Sequence, residues 1–147
     1  VKNIVIVDID GVLIKIDEYS KNIPPDPSDW EEYYKNVEDY PIEEMCALVR
    51  NLIPCRRVIF CTGRSDAQRQ KTSKLIEDNV AFMASRLLLL MRHDGDHRHD
   101  TEVKPELLSE AGINFDDIAF VIEDRNSMVK KWRELGLICM QPFEGDF

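Results

Sequence analysis

Two aspartates separated by one residue stand where a buried apolar run stops: Ile4-Val5-Ile6-Val7 leads directly into Asp8-Ile9-Asp10-Gly11. Side chains alternate along an extended chain, so Asp8 and Asp10 point to the same side, and Gly11 frees the backbone to turn sharply behind them. Carboxylates this close repel one another unless a cation or a shared proton lies between them. A magnesium ion suits an all-oxygen site and also binds phosphate oxygens. Taken alone, the pattern reads equally well as an acidic turn after a core strand.

Three further groups occupy comparable positions. Thr62-Gly63-Arg64 follows the apolar run Val58 to Cys61, and offers a hydroxyl, a backbone N–H and a guanidinium that could grip phosphate. Lys104 stands just before an expected helix start, where its charge would offset carboxylates and phosphate. Glu123-Asp124 ends the run Ile118 to Ile122 and supplies two more oxygen ligands. Each has a plain structural reading: an ordinary turn, a solvated lysine, a capping pair. Their occurrence in order after successive apolar runs favours a shared site. His93, His97 and His99 match no common structural zinc spacing, and no cysteine is near them in sequence; a solvated loop suits them better.

The elements that must position these groups alternate. Apolar runs at 4–7, 58–61, 87–91, 118–122 and 137–140 read as strands, the first as one buried on both faces. Helical patterns fill the gaps. One spans Ile42 to Leu52, with an apolar stripe at Met45, Leu48, Val49 and Leu52. The others span Ser65 to Asp78 with Ser65 as N-cap, Pro105 to Ala111 with Pro105 in the first turn and Gly112 at the exit, and Asn126 to Leu135 before Gly136. This predicts an α/β fold, a parallel Rossmann-like sheet with helices on both faces and a site beyond the carboxyl ends of the strands. The acidic, aromatic segment 15–40 reads as a small flap or lid inserted after the first strand. No repeat or linker divides the chain, so residues 1–147 are expected to form a single domain.

The ordered set resembles the haloacid dehalogenase-like phosphatase superfamily, with Asp8, Asp10 and Gly11 in its opening D-x-D-G motif, then Thr62, Lys104, and the acidic pair Glu123 and Asp124. Val12 replaces the usual Thr after the Gly, and Glu123 replaces a frequent Asp. The segment Arg92 to Lys104, with Glu123-Asp124-Arg125, Trp132-Arg133 and Gly145-Asp146-Phe147, looks like the 3′-phosphatase domain of phage-type polynucleotide kinase–phosphatase. The resemblance implies an Mg2+-dependent hydrolase with Asp8 as covalent nucleophile and Asp10 as acid/base. Asp8, Asp10, Glu123 and Asp124 would serve the metal. Gly11, Thr62, Gly63, Arg64, Arg92, Asp100, Lys104 and Arg125 would line the phosphate and leaving-group pocket. It implies a 3′-phosphorylated nucleotide or nucleic-acid end as substrate. A kinase half precedes the phosphatase in that family; this chain lacks the G-x-x-x-x-G-K-[ST] loop.

Composition narrows the remaining classes. The 147 residues are 44% hydrophobic, enough for a real core, and carry a formal net charge of −9. That balance disfavours binding along an extended duplex, which usually needs a basic face, while leaving room for a small phosphorylated ligand or a strand end. Apolar runs such as Leu87 to Met91, five residues long, are too short to cross a membrane, and no signal peptide opens the chain. Four cysteines without a C-x-x-C pair fit a reducing, cytoplasmic setting, viral or host. Val1 in place of Met suggests a processed or excised piece. The sequence does not choose between a monomer and a homo-oligomer. Two rivals stand: a general nucleotidase or small-molecule phosphatase with the same chemistry, and a receiver-like phospho-acceptor domain. The acids on the first and fourth runs, with Met91-Arg92 closing the third, fit the phosphatase order better.

Overall fold

The computed structural model describes residues 1–15, 39–81 and 87–146. Its centre is β1 (Ile4–Val7), four residues of alternating Ile and Val, all buried. β-Branched side chains suit a pleated surface, and here both faces are covered. Ile4 and Ile6 enter one core cluster with Leu108, Met128 and Trp132, whereas Val5 and Val7 enter another with Cys46, Val49 and Ile76.

β1 pairs in parallel with β4 (Arg57–Ser65) on one side and β6 (Ile118–Ile122) on the other. β5 (Leu88–Arg92) and β7 (Cys139–Met140) form the edges, giving the order β5-β4-β1-β6-β7. α1 (Glu43–Leu52) and α2 (Arg69–Asn79) supply the Val5 face, and α3 (Asp100–Glu110) and α4 (Asn126–Glu134) the Ile4 face. The chain runs outward from β1 through β4 to β5, then returns to β6 on the other flank. The crevice between the carboxyl ends of β1 and β6 is therefore a switch point, where open α/β sheets bind ligands.

The expected α/β sheet is present, with several boundaries moved. β4 continues past Cys61 through Thr62, Gly63 and Arg64, because its pairing with β5 resumes at Ser65 after a register shift. Ser65 accepts from Ala67 N at 3.2 Å and caps a 3-10 turn that leads into α2. In α1, Cys46 and Val49 are buried while Leu48 is 45% exposed, so Leu48 lies off the expected stripe.

The largest correction concerns α3. It begins at Asp100, not Pro105, with His99 Nδ1 accepting the Thr101 N–H at 3.2 Å as N-cap. Pro105 lies inside the helix and can offer no N–H to the Thr101 carbonyl, a defect the surrounding packing carries. Lys104 is thereby a helix residue facing the sheet rather than a loop residue ahead of a helix.

The suggested flap falls, for residues 16–38, outside the described residues. At its ends, β2 (Ile14–Lys15) pairs antiparallel with β3 (Tyr40–Pro41). Among the described residues no helix is long and apolar enough to cross a membrane.

Trp132 is the largest fully buried side chain of α4's inner face. Trp132→Ala is expected to destabilise the protein by about 3–5 kcal/mol, read as a lowered urea midpoint at unchanged slope.

Candidate active site

β1 delivers Asp8 on the face of Ile4 and Ile6, which α3 covers. Lys104 on α3 meets it there: its Nζ lies 3.0 Å from Asp8 Oδ1 and 2.8 Å from Glu123 Oε2. All three side chains are buried. Burial alone would pull the Lys104 ammonium down, but Asp8, Glu123 and Asp100 together raise it well above its ordinary value, so it stays charged. Asp8 is pushed the other way from a typical carboxylate, upward, by burial and by Glu123, with Lys104 opposing.

Glu123 and Asp124 follow β6 directly. Glu123 spends Oε2 on Lys104 and Oε1 on the Asp124 N–H at 3.2 Å. Asp124 turns its carboxylate over Gly11, where a Cβ would lie 1.8 Å from Oδ2; Gly11, at φ +78°, meets both demands by having none. Burial and the neighbouring Asp8 push Asp124 up to about 7. One oxygen from each of Asp8, Glu123 and Asp124 can be chosen so that all lie within 4.8 Å of one another. These hard, crowded oxygens, one on a carboxyl whose charge its surroundings disfavour, fit a magnesium ion by donor type.

Asp10 stands just before the turn. Arg64 grips it with Nε to Oδ2 at 2.9 Å and Nη2 to Oδ1 at 2.7 Å, and Nη2 also reaches Asp39 Oδ1 at 2.8 Å. Arg64 is completely buried and, although burial opposes its charge, Asp10 and Asp39 hold it protonated. The sequence offered Arg64 as a phosphate grip; in the structure these N–H groups orient the second aspartate. Asp39 was missed, since it closes the acidic segment in which no pattern could be read.

Arg92 is likewise turned inward. It donates to the carbonyls of Gly63 at 2.9 Å, Asp96 at 3.1 Å and Arg98, and to Asp100 Oδ1. It therefore organises the 93–99 loop and Asp100 rather than presenting an open fork. Asp100 also pairs through Oδ2 with Arg125 Nη1 at 3.1 Å. Burial works against the Asp100 carboxylate, yet Lys104, Arg125 and Arg92 outweigh it and lower its pKa. Gly63 makes room for this hub: a Cβ there would meet Asp100 Oδ1 at 2.6 Å. Thr62 is fully buried and its Oγ1 accepts the Arg64 N–H at 3.1 Å. The histidines stand apart: His93 Nε2 lies 2.9 Å from Glu110, and His99 caps α3.

A carboxylate paired with Lys104, a second one oriented by Arg64 and an acidic pair converge at the switch point of a parallel sheet, a phosphatase arrangement of the haloacid dehalogenase-like type. β5, the third long strand, ends in Met91-Arg92 and carries no acidic acceptor, unlike a receiver domain. Residues 2–147 match the family model of the polynucleotide kinase PNKP phosphatase domain, and the chain belongs to that family of phosphatases. Among solved structures, a chain of a Pnkp1/Rnl/Hen1 RNA repair complex is 29% identical, with a TM-score of 0.76, over 99% of this chain and 44% of the other. A second Pnkp1/Rnl/Hen1 complex gives 28% identity and a TM-score of 0.76, over 100% of this chain and 48% of the other. The present chain thus spans less than half of either. A Clostridium difficile protein described as a phosphatase shares the fold at 16% identity, with a TM-score of 0.66, over 95% of this chain and 84% of that one.

Two measurements test the geometry. Gly11→Ala and Gly112→Ala impose similar backbone strain, about 1–2 kcal/mol each, because both glycines have positive φ. Only Gly11→Ala drives a methyl into Asp124. Phosphatase turnover should fall by about 100-fold or more in Gly11→Ala and persist in Gly112→Ala.

The second concerns pH. The folded Asp124 holds its proton more tightly than the unfolded chain does, so its charge opposes folding. That penalty is absent below about pH 4, grows as pH rises, and is complete above about pH 7. With EDTA present, Asp124→Asn should be more stable than wild type at pH 8, by up to on the order of 4 kcal/mol, and equal to it near pH 4. Urea unfolding at the two pH values reads the difference.

Proposed function

We propose that this phosphatase is a magnesium-dependent phosphomonoesterase that works through an aspartyl-phosphate on Asp8 and removes 3′-phosphates from nucleotides or nucleic-acid ends. The observation that carries the reading is the convergence of Asp8, Glu123 and Asp124 around the buried Lys104. Asp8, Asp124 and the Asp10 carbonyl would hold the magnesium ion, with Glu123 beside them as the partner of Lys104. When bound, the ion offsets the negative charge shared by a carboxylate nucleophile and a phosphate.

Asp8 attacks phosphorus as the ester oxygen departs on the opposite side, so one P–O bond forms while another breaks. Lys104, already beside Asp8, steadies the charge on the phosphoryl oxygens together with the Thr62 hydroxyl of neighbouring β4. Asp10, oriented by Arg64, gives a proton to the leaving oxygen and then takes one from the water that splits the aspartyl-phosphate. Arg125, anchored on Asp100, is the cation we assign to the substrate side, with Arg92 holding that anchor.

The family membership, and the RNA repair complexes in which the two longer relatives occur, favour a strand end over a sugar phosphate. A single domain over residues 1–147, a kinase domain on a longer parent chain and a cytoplasmic location agree with this reading, and a homo-oligomer is compatible with it. With a net charge of −9, contacts to phosphates further along a strand should be few. Each neutralised phosphate adds roughly 0.7 to the log–log salt slope on single strands, so that slope should be shallow.

The test is a panel of 3′- and 5′-phosphorylated nucleotides and oligonucleotides with EDTA and magnesium arms. The 3′-phosphates should turn over, mononucleotide and oligomer alike, EDTA should stop the reaction and magnesium should restore it. Asp10→Asn should lose much more activity on these esters than on a nitrophenyl phosphate, whose leaving group needs no proton. Hydrolysis of 5′-monophosphates or base-free sugar phosphates at least as fast would sink the substrate assignment. Equal losses on both ester types would remove Asp10 as the acid.

A further inference from the structure

The side chains of Glu123, Asp124 and Arg125 make one wall of the site, yet their backbone lies between the end of β6 and the first residue of α4, where α4 reaches only the Arg125 carbonyl, through Val129 N at 2.9 Å, and does not hold the stretch before it. What fixes it comes from the far end of the chain. Gln141, one residue past β7, directs Nε2 to the Asp124 carbonyl at 2.7 Å and to Asn126 Oδ1 at 2.8 Å. Both acceptors are oxygens, so only the amide nitrogen can face them, and its two hydrogens match the two bonds. Asn126 Oδ1 also accepts from Gly145 N at 3.4 Å, and Asn126 N donates to Gly145 O at 2.6 Å. Arg125 and Gly145 form an isolated parallel bridge. Residues 141–145 thus close around the loop as a clasp, although Phe143 within them is 48% exposed and adds little core.

We propose that Gln141 is a positioning residue that sets the register of Asp124 and, through it, the affinity of the site for magnesium. This rests on the reading of Asp124 as a metal ligand. The tolerance is narrow because Asp124 sits over Gly11 with no room for even a methyl, and its oxygens share one cluster with Asp8. A small slide of the loop either closes on the Gly11 turn or opens the oxygen set. Gln141 touches none of the reacting groups. Its effect passes through the carbonyl of Asp124, which precedes α4 and receives no helical N–H.

The experiment uses the whole chain with Gln141→Leu, which deletes both donors, and Gln141→Glu, which keeps the shape and replaces the donors with oxygen. Magnesium is titrated twice, once by the rise in melting temperature without substrate and once by turnover. Both midpoints should shift to about 10–100-fold higher magnesium, the usual consequence of losing a residue that orients a ligand. Turnover should largely recover at saturating magnesium, with KM little changed. A purely structural role would lower the metal-free melting temperature and leave the magnesium midpoint in place, which would overturn the proposal. If Gln141→Leu does not fold, Gln141→Glu gives the same comparison. Wild-type protein whose melting temperature and turnover both ignore magnesium would overturn the metal reading itself, and the role of Gln141 with it. A wild type that responds, with variants that respond equally, overturns the role of Gln141 alone.

Discussion

One ammonium holds the site together. Lys104 Nζ lies between Asp8 and Glu123, and all three groups are buried, with only Asp8 keeping a small opening to solvent. A buried carboxylate without a partner either takes up a proton or opens the structure to solvent. Two of them at adjacent strand ends would do so more readily. The lysine makes their joint burial tolerable, and it can reach them only because α3 begins early enough to include it. The defect at Pro105 belongs to that arrangement: a helix begun at the proline would have left Lys104 in a loop, without a fixed approach to β1. Such a triad is weak evidence for net stability, since burying ions is expensive even when they are paired. It is better understood as fixing where the Asp8 oxygens point.

A second tier of charge surrounds the first. Arg64 binds Asp10 and Asp39, while Asp100 takes Arg92 and Arg125. In each case a group capable of meeting substrate is oriented by another that is turned inward. This accounts for how much charge the site contains relative to what can touch one phosphate. Catalysis of phosphoryl transfer relies on positioning and electrostatics, and a long side chain such as Arg holds position best when its fork is filled.

Much of this was legible in the residues. The β-branched run before Asp8 and the apolar runs before Thr62 and Glu123 are continuous signals with little dependence on context, and they placed three strands of the sheet and the crevice between two of them. Roles were less legible than positions. Arg64 and Arg92 carry the right chemistry for phosphate, but where a guanidinium turns depends on acceptors brought up by distant segments: Asp39 for one, the Gly63 and Asp96 carbonyls for the other. The start of α3 was obscured because proline is a strong local signal for a first turn, whereas the cap that decided the matter is a histidine, a weak one. Leu48 was misplaced for a similar reason, since several neighbouring stripes fit a short apolar helix and only the packed sheet selects among them.

The clasp at the chain's end had no local signature. Gly145 stands out only within the family resemblance and Gln141 not at all, and the hydrogen bonds exist only because β7 runs parallel to β6 and brings residue 141 beside the Asp124 carbonyl. The edge strand is two residues long and adds little to the core. Its position explains it better: pairing Val121 with Cys139 and Ile122 with Met140 fixes the register of whatever follows β7 against whatever follows β6. A shift of one residue would carry Gln141 away from the carbonyl it holds. A short edge strand can therefore matter more for the geometry of the site than for the stability of the sheet.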